Sequence, residues 1–267
     1  MHLVRHLSSH GPAFAALQPD GSAREISGDI FAEFQVTDRP VQLGPLLAPV
    51  KPVYLPCIGL NYKQHAIESN LPMPAHPVLF VKNPASIQHP GGPIELPRKL
   101  PSDSVDYECE LAVVIGKRCK NVSREDALSH VLGYTCANDV SARDWQFNGG
   151  GGQWCQGKSF DSFCPLGPVL VTADEIPDPH TLRIRTLLNG EVMQDSNTAD
   201  MIFSVPALIE FLSASKTLLP GTVILTGTPQ GVGFARKPPV RLKAGDIVAI
   251  DIERIGTLTN PVVDEAP

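Results

Sequence analysis

The segment Asp106-Tyr107-Glu108-Cys109-Glu110-Leu111-Ala112-Val113-Val114-Ile115-Gly116 constrains this chain more than any other. Its apolar run reads as a strand, and side chains alternate between the faces of a strand. Glu108 and Glu110 therefore share one face, while Tyr107, Cys109, Leu111, Val113 and Ile115 line the other. Such an apolar stripe docks in a core and immobilises both carboxylates. Held side by side, they repel and raise each other's pKa, and a hard divalent cation bound through oxygen relieves the repulsion. The residue types leave a plainer reading open, a glutamate pair facing solvent across a sheet. The metal reading needs a third oxygen ligand. Asp139 is the candidate, at the end of the strand-like stretch Gly133 to Asp139, where a loop begins.

Charge narrows the partners. Lys+Arg number 22 against 28 Asp+Glu, a formal net charge of −6, and no basic run is long enough to track a phosphate backbone. No nucleic-acid partner is expected. No apolar run approaches the roughly 18 residues of a membrane span, and the start, Met1 to His6, lacks the apolar stretch of a secretory signal. These features predict no membrane partner and an intracellular, cytoplasmic location, with a mitochondrial one left open. The 6 cysteines show no C-x-x-C spacing, so neither a zinc ribbon nor a disulfide framework is indicated.

Strand-like runs recur over Tyr54 to Ile58, Val78 to Val81, Tyr107 to Ile115, Gly133 to Ala137, Val169 to Val171, Val223 to Thr226 and Ile247 to Ile252. Leu182 to Leu188 and Glu191 to Gln194 flank Asn189-Gly190, the signature of a tight hairpin turn. Two helices are expected, Ser123 to His130 behind a near capping box, and Ser204 to Ser215 with Pro206 in its first turn. With 22 glycines and 26 prolines, the pattern predicts an α+β, mainly β fold with few helices and long functional loops. Residues 1–50 are weakly patterned and read as a small N-terminal subdomain, with residues 51–267 as the main domain.

Further candidates lie around the carboxylates. His65 and Glu68, three apart on a short helical turn, form an imidazole–carboxylate pair suited to general-base work, or a solvated surface pair. Arg143 is a partner for Asp144 or for a ligand carboxylate. Gln146 is a neutral donor for an oxyanion, and Gly149 to Gly152 read as a flexible loop. Lys158 either neutralises substrate charge or extends along the surface. In Thr226-Gly227-Thr228-Pro229-Gln230-Gly231-Val232-Gly233 the spacing is not that of a dinucleotide fold, and an anion-binding loop fits better.

G-x-N-Y-x-x-H-x-x-E, the E-x-E strand, N-D-x-S-A-R-D-x-Q, G-K-S-F-D and T-G-T-P-x-G-V-G stand here in one order, and from about Tyr54 to Ile252 the chain resembles the fumarylacetoacetate hydrolase family. The resemblance implies a mixed β-roll or barrel core, a homodimer, and Mg²⁺ (or Mn²⁺ or Ca²⁺) held by Glu108, Glu110 and Asp139. It implies catalytic roles for His65, Glu68, Lys158 and Gln146, and substrate binding by Gly227, Thr228, Arg143 and Tyr62. The substrate implied is a small 2-oxo or 2,4-dioxo acid reacting through a stabilised enolate. Oxaloacetate tautomerisation or decarboxylation and acylpyruvate hydrolysis are the leading readings. The alternatives are isomerisation or decarboxylation of a 2-oxo dienoate from aromatic catabolism, and a non-catalytic metal-binding protein of the same fold. The first fifty residues resemble those of the shorter relatives.

Overall fold

The computed structural model describes residues 1–267. Two sheets carry the fold. The larger has 12 strands, and the E-x-E strand Cys109–Ile115 lies in its interior between Val131–Asn138 and Val223–Leu225. The smaller has 5 strands, including the hairpin Arg183–Leu188 and Glu191–Asn197 and the pair Ile247–Ile252 and Gly256–Asp264. Asn189 and Gly190 take φ of 54° and 85°, as their turn requires.

The alternation expected of the E-x-E strand holds, but both of its faces are buried. Cys109, Leu111, Val113 and Ile115 pack with Ile184, Val248 and Ile250 of the smaller sheet. On the glutamate face Ala112 and Val114 enter a second core with Leu3, Ala16, Cys57 and Phe80. These four come from strands near opposite ends of the large sheet, so that sheet rolls over upon itself. The result is a mainly β, α+β architecture.

Two local expectations are corrected. The strand begins at Cys109 instead of Tyr107, because side-chain amides take the place of the ladder there: Asn138 Oδ1 accepts from Glu108 N at 3.0 Å and Gln194 Oε1 from Cys109 N at 3.0 Å. The helix expected from Ser123 shrinks to the 3₁₀ turn Ala127–His130, since the Ser123 and Asp126 side chains close a local turn that does not propagate before the strand at Val131. The first fifty residues form a meander of four strands, His2–Ser8, Gly11–Leu17, Ala23–Gly28 and Phe34–Pro40, whose first strand pairs with Cys164–Thr172 in the large sheet. The second helix forms over Val205–Ser213 with Ser204 as its cap. No helix is long and apolar enough to cross a membrane.

Candidate active site

Glu108, Glu110 and Asp139 converge because their strands pair antiparallel. Cys109 stands opposite Asn138 and Glu110 opposite Ala137, and Asp139 N donates to Glu108 O at 2.9 Å. One carboxylate oxygen from each of the three lies within 4.8 Å of the others, and all three side chains are buried. The solvent-facing alternative for the pair is thereby removed.

Buried carboxylates need cations or donors. Lys158 Nζ donates to Glu108 Oε2 and Asp139 Oδ2, both at 2.8 Å. Lys82 Nζ donates to Asp139 Oδ1 at 2.6 Å and to Val140 O. Arg143 Nη1 donates to Glu108 Oε1 at 2.6 Å, while its Nε and Nη2 donate to Asp106 Oδ2. Burial alone would raise the Glu108 carboxyl, but Lys158 and Arg143 outweigh it and bring it down to about 2. Burial likewise works against the Lys158 ammonium, yet Asp139 and Glu108 carry it above its ordinary value.

Glu110 is the exception. No cation touches it, and its one partner is the Gly227 amide at 2.7 Å from Oε2. Burial raises its carboxyl well above the ordinary range, and the negative Asp139 and Glu108 raise it further. Four buried acids here, Asp106, Glu108, Glu110 and Asp139, face three buried cations, Lys82, Arg143 and Lys158. The surplus negative charge collects at Glu110, amid an all-oxygen donor set. A hard divalent cation fits these residues.

The electrostatics carry a pH sign. Because the folded-state pKa of Glu110 is raised, the protonated acid stabilises the fold fully below its ordinary 4.5 and less as pH climbs through the raised value. A cation must displace that proton. Mn²⁺ affinity, measured by titration calorimetry, is therefore expected to rise with pH above the ordinary carboxylate range, with protons released. An affinity independent of pH would remove Glu110 from the ligand set.

Glu108 and Glu110 line a cavity of about 550 Å³, while Asp139 is wholly buried. The same cavity is bordered by the short helix Lys63–Glu68, in which His65 Nδ1 and Glu68 Oε2 are 3.2 Å apart. Both line the cavity, together with Gln146, Lys158, Arg143 and Thr228. Gln146 Oε1 accepts from Arg143 at 3.0 Å, which leaves its NH₂ group to donate. Thr228 Oγ1 accepts from Gln194 at 2.9 Å, which leaves its hydroxyl proton free. Phe80, Trp154, Phe147 and Phe234 supply apolar walls.

Two residues expected to bind substrate sit elsewhere. Tyr62 is wholly buried and does not line the cavity, being drawn into the core behind the helix. Gly227 turns its amide to Glu110, and its φ of 98° and the Asn61 side chain at its back demand glycine. Arg143 lines the cavity, but Asp106, Glu108 and Gln146 engage its guanidinium; Asp144 instead accepts from Ser102 and Trp145. Sequence reasoning missed Lys82, Asp106 and Gln194. Lys82 left one signal, a lone charge directly after the apolar strand Val78–Val81.

Comparison with known proteins agrees with this geometry. The family model described as fumarylacetoacetate (FAA) hydrolase C-terminal matches residues 55–263, and one described as Rv2993c-like, N-terminal, matches residues 1–49. The chain is 50% identical over 250 residues to the oxaloacetate tautomerase fahd2, mitochondrial, of Xenopus laevis, covering 93% of this chain and 75% of that protein. It is 52% identical over 218 residues to the Homo sapiens oxaloacetate tautomerase FAHD2A, mitochondrial, covering 81% and 69%. Among solved structures, the 5-carboxymethyl-2-hydroxymuconate delta-isomerase from Mycobacterium smegmatis superposes with a TM-score of 0.87 at 42% identity, over 99% of this chain and 100% of that one. Family motifs, matching sequence and matching fold coincide, and the chain belongs to the fumarylacetoacetate hydrolase family of enzymes.

Proposed function

We propose that this protein is an Mg²⁺-dependent enzyme that interconverts the keto and enol forms of oxaloacetate, with Mn²⁺ or Ca²⁺ as substitute metals. The observation that carries the reading is that Glu108 and Glu110 of the buried acidic triad line one cavity together with the imidazole–carboxylate pair His65 and Glu68. The names of the Xenopus and human relatives point the same way.

Held by Glu108, Glu110 and Asp139, a divalent ion would supply Lewis-acid stabilisation of negative charge on a 2-oxo acid. The chain's own residues manage the proton. With Nδ1 donating to Glu68, the His65 Nε2 lone pair is the base that takes a proton from carbon 3 and returns it to oxygen. Glu68 holds the imidazole tautomer and stabilises the imidazolium. Thr228 Oγ and Gln146 Nε2 offer donors to substrate oxygens, and Lys158 adds positive charge beside them. Acylpyruvate cleavage would differ in needing His65 to activate a water.

A second reading, isomerisation of a 2-hydroxy dienoate, draws on the cavity itself. About 550 Å³ is more than a four-carbon diacid needs. Both reactions are proton shifts on the same 2-oxo or 2-hydroxy acid unit. The test is stopped-flow ultraviolet absorbance of the enol with oxaloacetate and with a 2-hydroxy dienoate. Mg²⁺-dependent acceleration with oxaloacetate is expected, and full turnover in EDTA would sink the assignment.

A homodimer belongs to the same reading. Val78–Val81 is the last strand of the large sheet, and Val78, Leu79 and Val81 are exposed on it. An apolar, unpaired edge invites another strand, and a second copy offers a self-complementary one. Leu79→Lys is expected to lower the sedimentation coefficient from dimer to monomer, whereas an unchanged value would place the interface elsewhere. The enzyme works inside the cell, in the cytoplasm or in the mitochondrion for which the vertebrate relatives are named.

A further inference from the structure

The glycine-rich turn at residues 226–234 reaches acids from three parts of the site. Gly227 N donates to Glu110 Oε2 at 2.7 Å, Gly231 N to the Glu68 carboxylate at 2.9 and 3.1 Å, and Gly233 N to Asp106 Oδ1 at 2.8 Å. Phe234 N follows, donating to Asp106 Oδ2 at 2.9 Å. The loop that resembled a cradle for a substrate carboxylate thus holds three of the protein's own.

Asp106 lies outside the ligand triad and is 1% exposed. Besides the turn amides it accepts from Tyr107 N and from Arg143 Nε and Nη2, at 2.9, 2.9 and 2.7 Å. Arg143 then reaches Glu108 at 2.6 Å, and its guanidinium stands 5.9 Å from the Phe234 ring centroid. A continuous chain of buried, charge-assisted hydrogen bonds runs from the cavity wall to a ligand carboxylate. An aspartate so engaged has no acceptor site to spare, and breaking a bond in a buried network is costly. Movement of the turn must therefore carry Asp106, Arg143 and Glu108 with it.

We propose that this turn is a single positioning element coupling the His65–Glu68 helix to the metal carboxylates, with Asp106 as the positioning residue that transmits it to Glu108. The proposal rests on reading Glu108 and Glu110 as metal ligands. Gly233 permits the arrangement: a Cβ there would stand 2.2 Å from Val240 O and 2.6 Å from Asp106 Oδ1.

Gly233→Ala tests the coupling, because it pushes the turn off Asp106 without altering a ligand or a charge. Mn²⁺ titration calorimetry on the full chain, run beside steady-state kinetics with oxaloacetate, is expected to show affinity falling about fivefold or more. KM should rise more than kcat falls. Asp106→Asn, which keeps the volume but opposes an amide to Arg143 and Phe234 N, should give a larger loss of the same kind. If either variant fails to fold, Arg143→Lys, which keeps the charge and loses the fork, should also weaken Mn²⁺ binding. Wild-type Mn²⁺ affinity in the folded variants overturns the coupling. Absence of Mn²⁺ binding by the unaltered protein overturns the metal reading, and the proposal with it.

Discussion

Glu110→Gln is expected to abolish metal-dependent turnover while leaving the metal-free protein at least as stable as the parent. Glu110 is the one member of the triad without a cationic partner, and its carboxyl is pushed up by burial and by Asp139 and Glu108. Glutamine keeps an acceptor for the Gly227 amide, so the turn is not left with an unpaired buried donor. It removes the charge that repels its neighbours, which is a gain for the empty fold. It also removes an anionic ligand, and Lewis-acid stabilisation worth several kcal/mol corresponds to a rate loss on the order of 10³-fold. Enol absorbance at saturating Mg²⁺ measures the first effect and thermal unfolding in EDTA the second. A variant that keeps its Mg²⁺-dependent rate would take Glu110 out of the site.

His65→Ala is expected to give the opposite split. His65 faces the cavity and is paired with Glu68, but it is not among the converging carboxylates. Removing a positioned base costs about 10²–10⁴-fold in rate. Mn²⁺ affinity should stay close to that of the parent, since no ligand charge changes. Glu68→Gln should lie between the two in rate: the imidazole keeps a partner, while the charge that stabilises the imidazolium is gone. Unchanged tautomerisation in His65→Ala would remove the pair from the mechanism.

Much of this could be read from local pattern. Alternation in the run from Glu108 to Ile115 and the Asn189-Gly190 turn depend on residues adjacent in the chain, and the structure keeps both. Ser204 and Pro206 mark the start of their helix for the same reason. Where the reading failed, the deciding partner was remote. The strand begins at Cys109 because Asn138 and Gln194 accept from the backbone amides of Glu108 and Cys109, and no property of residues 106–109 announces that. The first fifty residues are only weakly patterned, and the partner that takes strand His2–Ser8 into the large sheet is Cys164–Thr172, more than 150 residues away.

The candidate site divides along the same line. From sequence by itself came the acids, the imidazole and the glycine turn, because chemistry at a site needs particular residue types and motif spacing preserves them. Only tertiary structure decided which partners they have. It set Lys82 against Asp139 from 57 residues away and Asp106 against the Gly233 amide from 127 away. It withdrew Tyr62 into the core and turned Gly227 from substrate to Glu110. A sequence records what a side chain can donate, accept or bind. Which group it meets is settled when strands distant in the chain pair in register, and a buried charge then takes whatever neutralising partner that register brings within reach.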